Sequence, residues 1–338
     1  MTNNQQGAII VIRHGERLDY VCRDSGKNWI PTSPEPWNPP LTRLGLEQAQ
    51  SLGRILHEHI QTYNLPPTIS HVYSSPLLRC VQTAAETIKS YEEIATSAVE
   101  TKISSKLKVK IEHGLVESMN EDWYGSWCLP DSDSTWGFYR MNRRKKQLTQ
   151  SDAAQELDEE SLHPKAKVPV QHLFPPVDKI AKLHRMHDAL FQEIDSCTST
   201  CLDQVAAAYH IHGHDDACEA SEQSAVDLSY LQPYHIITNQ YQWGNFETRQ
   251  DQCNRVETVV RQMAKDHPNE TILLFSHGCP VTTLFERLTG KGWQKHGMTK
   301  YTCCSIYVHE NGGESFTDVL VNDASHLEDG SAGVINYM

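Results

Sequence analysis

Two short stretches bound the fold more tightly than anything else in the sequence. Ala8–Ile12 and Thr271–Phe275 are rich in Ile, Val and Leu, and each ends abruptly in a histidine-bearing polar motif. Five residues are too few for a buried helix, and neither stretch alternates as a half-solvated strand would. Both read as strands buried on two faces, the environment of a parallel sheet with helices on either side. Ile69–Tyr73 repeats the pattern and runs into Ser74-Ser75-Pro76, while Lys108–Ile111, Ser305–Val308 and Asp318–Val321 are weaker strand signals.

Helical patterns separate these strands. Leu44, Leu52, Ile55 and Leu56 recur at helical spacing behind Thr42, a residue suited to an N-cap. Ser75 and Pro76 predict a helix start, with Leu77 to Ile88 as its body. Val256, Val259, Val260 and Met263 fit a helix that Pro268 ends, and a further helix is expected after Pro280. Strands alternating with helices predict an α/β fold with a largely parallel sheet.

Cys22–Pro40, with five prolines and two tryptophans, reads as a long ordered loop. Residues 128–240 differ from the rest. They carry the acidic run Asp152–Glu160, the proline-bearing stretch Pro164–Pro176, and helical patterns near Val177–Ile194 and Cys201–Tyr209. The expected organisation is a discontinuous core, residues 1–127 and 241–338, with 128–240 inserted as a cap. A chain of 338 residues is long enough for such an arrangement.

Thirty Lys and Arg against 43 Asp and Glu leave a net charge of −13, which argues against a nucleic-acid-binding surface. An anion site in this chain has to be a local concentration of positive charge. No stretch approaches a transmembrane helix, and Met1–Gly7 does not resemble a signal peptide, so a cytoplasmic location is expected. Arg140, Arg143, Arg144, Lys145 and Lys146 form a basic cluster compatible with nuclear import, an anion-attracting rim or a solvated helix face. The ten scattered cysteines read as free thiols.

Chemistry concentrates at the strand ends. Ala8–Ile12 leads into Arg13-His14-Gly15-Glu16-Arg17, and Thr271–Phe275 into Ser276-His277-Gly278, while Arg79 lies one helical turn beyond Ser74-Ser75-Pro76. Open α/β sheets bind ligands at the carboxyl ends of their strands, so His14, His277, Arg13, Arg17 and Arg79 are expected in one crevice. Guanidinium forks match phosphate oxygens, and a neutral imidazole is a competent nucleophile toward phosphorus. The remaining need is a proton donor for the leaving oxygen. Glu117 is the best-placed candidate, with Glu121 and Asp122 as neighbouring alternatives.

These residues together resemble the histidine phosphatase, or phosphoglycerate mutase-like, superfamily. Arg13-His14-Gly15-Glu16 resembles its nucleophile motif, and Ser74-Ser75-Pro76-Leu77-Leu78-Arg79 its second arginine motif. Ser276-His277-Gly278 resembles its second histidine motif. The forms Arg13–Asp19 and Arg79–Ala84 are similar to the branch holding ecdysteroid-phosphate phosphatase and the TULA (Sts) phosphatase domains. The resemblance implies a three-layer α/β/α fold and a metal-independent phosphomonoesterase without cofactor. It implies His14 as the residue that becomes phosphorylated, a phosphate pocket of Arg13, Arg17, Arg79 and His277, and Glu117 as proton donor. Members of the branch carry tryptophan directly after the acid, where this chain has Ser118; Trp123 or Trp127 would fill that space.

The implied partner is a phosphorylated substrate, either a small molecule or a phosphotyrosine protein, and a homodimer is compatible with the sequence. Two other readings follow from the same motifs: a weakly active or inactive phosphatase-like binding module, and a phosphoglycerate mutase or sugar bisphosphatase. The mutase pattern after the first histidine is absent, which favours a phosphatase. His210, His212 and His214, with Asp215, Asp216 and Cys218, carry zinc-ligand chemistry, but their spacing fits no closed zinc motif and they read as a polar loop.

Overall fold

The computed structural model describes residues 6–27, 29, 37–98, 106–118, 177–182, 184–185, 224–230 and 247–327. Within them lie six strands: β1 Gln6–Arg13, β2 Ile69–Ser74, β3 Val109–Ile111, β4 Thr271–Ser276, β5 Cys304–Glu310 and β6 Ser315–Asp323. Five α-helices accompany them: α1 Leu18–Asp24, α2 Arg43–Thr62, α3 Leu78–Ala98, α4 Arg249–Asp266 and α5 Gly278–Thr289. Residues 177–182 are also helical.

The strands form one sheet in the order β3-β2-β4-β1-β5-β6. β3, β2, β4 and β1 are mutually parallel, and only β5 runs against its two neighbours. β1 is fully covered on both faces, which explains its unbroken apolar run. Ala8, Ile10 and Ile12 pack with Leu52, Leu56 and Ile60 of α2 and Val81, Ala84 and Ile88 of α3. Ile9 and Val11 point the other way, against Val256, Val259, Val260 and Met263 of α4 and Val281, Leu284 and Phe285 of α5. The result is the expected α/β/α sandwich. Each fully buried Ile or Val of β1 contributes about 1.5–3 kcal/mol relative to exposure.

Thr42 caps α2 as expected, accepting from the Gly45 N–H, but Leu44 is exposed and the buried stripe is Ala49, Leu52, Leu56 and Ile60. α1 lies partly inside the stretch expected as a loop. Seven residues are too few to be stable alone; Leu18, Tyr20 and Cys22 turn inward, so tertiary packing sustains the turn. α3 starts at Leu78 rather than Pro76, with the Asn38 side chain accepting from the Leu78 N–H. α5 starts at Gly278, two residues before Pro280, which sits in the first turn where its missing N–H is not needed.

Two pieces of the segment 128–240 join this core. Ile180 and Ala181 are buried in the α2–α3 layer, and Val226 forms a parallel bridge with Val109 at the β3 edge. The acidic run, the proline-bearing stretch, the basic cluster and the His210–Cys218 group lie outside the described residues.

Candidate active site

The strand register assembles the site. Arg13 pairs with Ser276 across β1 and β4, so the residue after each, His14 and His277, leaves a neighbouring strand end at the same height. Their rings meet edge to face, 5.3 Å between centroids. On the other side of β4, Ser74 pairs with Phe275, which delivers Ser75 and then Arg79 of α3 to the same crevice. The chain at Gly15 passes so close to α2 that a Cβ there would lie 2.5 Å from the Gly45 carbonyl oxygen. The Gly15 N–H donates to Thr83 Oγ1, which locks the turn carrying His14 onto α3.

Hydrogen bonds set both imidazole tautomers. His14 Nδ1 lies 2.8 Å from the Gly15 carbonyl oxygen, which only accepts, so Nδ1 carries the proton and Nε2 keeps its lone pair. Arg79 Nη2 only donates, and it lies 3.2 Å from His277 Nδ1. His277 therefore carries its proton on Nε2 and donates it to Ser75 Oγ at 2.8 Å. Burial holds both rings well below the ordinary imidazole range, reinforced by the cations Arg79, Arg13 and Arg17. Both stay neutral near pH 7 until an anion supplies compensating charge.

The three arginines are buried and held in different ways. Arg13 donates through Nη1 to the Thr299 carbonyl and lies over the Tyr301 ring, and its Nε has no hydrogen-bond partner among the described residues. Arg79 Nη1 donates to the Trp37 carbonyl at 3.4 Å. Arg17 forms a two-pronged ion pair with Asp19, at 2.9 and 2.8 Å, which the sequence reading did not anticipate. Its guanidinium also lies 4.2 Å over the Tyr20 ring.

Glu117 follows a 3-10 turn, His113–Leu115, at the end of β3. Burial raises its carboxyl above the usual range, against the Ser118 N–H, which donates to Oε1 at 2.9 Å, and against the fields of Arg79, Arg13 and Arg17. Burial, reinforced by the neighbouring Glu117, raises the Cys279 thiol in the first turn of α5 well above the ordinary thiol range. Glu121, Asp122, Trp123 and Trp127 lie outside the described residues.

The sequence profile of the histidine phosphatase superfamily (branch 1) matches residues 9–127 and 219–324, more than half of the chain. The chain belongs to this superfamily. The profile spans both histidine motifs and leaves 128–218 unmatched, most of the segment expected as an insertion. The chain is 31% identical over 218 residues to ecdysteroid-phosphate phosphatase of Drosophila melanogaster, a match covering 57% of this chain and 24% of that protein. It is 31% identical over 149 residues to human ubiquitin-associated and SH3 domain-containing protein B, covering 37% of this chain and 20% of that one. The chain thus spans about a quarter or less of the length of these relatives. Among solved structures, the ecdysone phosphate phosphatase from Bombix mori in complex with tungstate superposes with a TM-score of 0.47 at 16% identity, over 94% of this chain and 93% of that one.

Further titratable groups lie beside the site and away from it. The Cys80 thiol lies 3.4 Å from His277 Nε2, and burial pushes it up to about 12, so it packs as a neutral group. All six cysteines among the described residues are free thiols. At the opposite end of β2 and β4, His71, His267 and Glu270 bring metal-ligand types together. Lys110 Nζ donates to His71 Nδ1, which places the His71 proton on Nε2, facing the Glu270 carboxylate at 3.1 Å. That lone pair is therefore used in a hydrogen-bond network. No helix among the described residues is long and apolar enough to cross a membrane.

Proposed function

We propose that the chain is a phosphomonoesterase that works through a phosphohistidine on His14, with Glu117 as proton donor and no metal ion in the reaction. The observation that carries this reading is the His14 Nδ1 hydrogen bond to Gly15, which leaves Nε2 unprotonated on a ring within the field of the buried Arg79, Arg13 and Arg17. Nε2 attacks phosphorus, the P–N bond forms and the ester P–O bond breaks. Glu117, whose carboxyl burial raises above the usual range, delivers its proton to the leaving oxygen. The resulting carboxylate then takes a proton from water, the hydroxide attacks phosphorus, and cleavage of the P–N bond returns neutral His14.

Arg13, Arg17, Arg79 and His277 stabilise the three equatorial phosphoryl oxygens. As phosphate enters, His277 can take up a proton and become a further donor. The N-terminus of α5, beginning at Gly278, adds backbone N–H groups beside Arg13. The substrate is a phosphate monoester; the name of the Drosophila melanogaster relative suggests a steroid phosphate as one class to test, beside the phosphotyrosine protein that the sequence motifs left open.

Hydrolysis of p-nitrophenyl phosphate in EDTA, comparing wild type with His14→Ala, tests the proposal. Turnover is expected to survive EDTA and to vanish in the variant. Quenching in alkaline detergent during turnover should trap a base-stable phosphoprotein, lost on later acid treatment, in wild type only. Activity retained by His14→Ala would refute the nucleophile.

A further inference from the structure

The acid sits on a short turn, and short turns are mobile unless their backbone groups are used. Here every carbonyl from residue 114 to residue 117 accepts a hydrogen bond from a side chain. Ser276 Oγ donates to the Leu115 carbonyl at 2.6 Å. The other three are taken by one residue of α4. Arg255 Nη1 donates to the carbonyls of Gly114 at 2.7 Å and Val116 at 3.3 Å, and Nη2 to that of Glu117 at 3.4 Å. The same guanidinium makes a two-pronged ion pair with Glu247, at 2.6 and 2.8 Å. A Cβ on Gly114 would lie 2.5 Å from the Val259 side chain, so the turn is also seated directly on α4.

We infer that Arg255 and Glu247 are a positioning pair for the proton donor: they fix the backbone that carries Glu117 so that its carboxyl meets the leaving oxygen. The inference rests on the proposed role of Glu117 as the acid. All five guanidinium donors of arginine lie in one plane, so a single residue can hold three successive-turn carbonyls and a carboxylate at once, which lysine cannot. Glu247 is nearly fully buried and pairs with the Arg255 charge, which fixes the guanidinium against the turn. The capping box of α4, Thr248 with Asp251, fixes the backbone next to Glu247. Arg255 makes its hydrogen bonds to residues 114, 116, 117 and 247 and to no group of the phosphate pocket, which it reaches only through its charge at His277.

Leaving-group dependence separates this role from a structural one. p-Nitrophenol leaves with little help from an acid, whereas phenol needs protonation as the ester bond breaks. The variants are Arg255→Lys, Arg255→Ala and Glu247→Gln, each assayed on p-nitrophenyl phosphate and phenyl phosphate, alone and combined with Glu117→Gln. Arg255→Ala should lower kcat on phenyl phosphate by about 10- to 100-fold more than on p-nitrophenyl phosphate, as expected for a displaced general acid. Arg255→Lys and Glu247→Gln should show smaller losses of the same kind. Inhibition by inorganic phosphate should be unchanged, and the excess loss should disappear in the Glu117→Gln background. Equal losses on both substrates, weakened phosphate inhibition, or an undiminished effect in that background would overturn the inference. If Glu117→Gln itself showed no leaving-group dependence, the acid assignment would fail instead, whatever Arg255 did.

Discussion

His309 offers a quantitative test of how burial shapes this protein. It lies on β5, 1% exposed, with both ring nitrogens lacking hydrogen-bond partners among the described residues. Its ring fills the notch above Gly7, where a Cβ would come within 2.5 Å of it. Burial lowers its pKa from 6.5 to about 4. The native ring therefore resists protonation that the unfolded chain accepts, so stability falls as pH drops below 6.5 and levels off below about 4. At pH 7 the unfolded histidine is about one quarter protonated, and the linkage costs only ~0.2 kcal/mol. At pH 5 the unfolded ring is almost fully protonated and the native ring about one tenth, for a cost of ~2.0 kcal/mol. Between pH 7 and pH 5, His309 alone should thus remove ~1.8 kcal/mol of stability. Urea unfolding of wild type and His309→Leu at both pH values measures this directly. The leucine variant changes packing at both pH values, but its fall in stability should be ~1.8 kcal/mol smaller than that of wild type. If both proteins lose the same amount, the buried ring is not the source and the reasoning fails.

Other expectations concern the site itself. As pH rises through the raised pKa of Glu117, the donor is lost and kcat on phenyl phosphate should fall; Glu117→Gln should abolish that alkaline limb. Asp19→Ala leaves the buried Arg17 guanidinium without its carboxylate and should cost about 3–5 kcal/mol in urea unfolding. Gly15→Ala drives a methyl group into the Gly45 carbonyl; it should destabilise by about 1–3 kcal/mol and cut turnover by displacing His14. Because burial pushes Cys80 up to about 12, treatment with iodoacetamide should leave activity intact, in contrast to an enzyme with a thiolate nucleophile. Rapid inactivation traced to Cys80 would contradict that assignment.

The strands were legible because burial on two faces writes a signal that needs no partner to be read. Ala8–Ile12 and Thr271–Phe275 emerged nearly as drawn, and so did the polar motifs at their ends. The α1 turn was not legible, because seven residues give no period and their stability comes from packing. The Arg17–Asp19 pair had a local trace, since a single residue separates the charges, but spacing of that kind is common in loops. Arg255 and Glu247 carried no such trace. The carbonyls that Arg255 holds, those of Gly114, Val116 and Glu117, are more than 100 residues away in sequence, and backbone carbonyls leave no mark in side-chain identity.

By itself, then, the amino-acid sequence determined which segments must be buried, where strands stop, and which reactive side chains stand at those stops. These follow from hydrophobicity and local chain geometry, which act over a few residues. The tertiary structure alone decided the rest. Pairing Arg13 with Ser276 sets His14 beside His277. Contacts with Gly15, Arg79 and Ser75 choose which nitrogen of each ring holds the proton. Burial and three neighbouring arginines keep both rings neutral, and burial raises the Glu117 carboxyl against the fields of the same arginines. Tautomers and pKa values depend on distances of a few ångströms between groups far apart in the chain, and only the folded packing defines those distances.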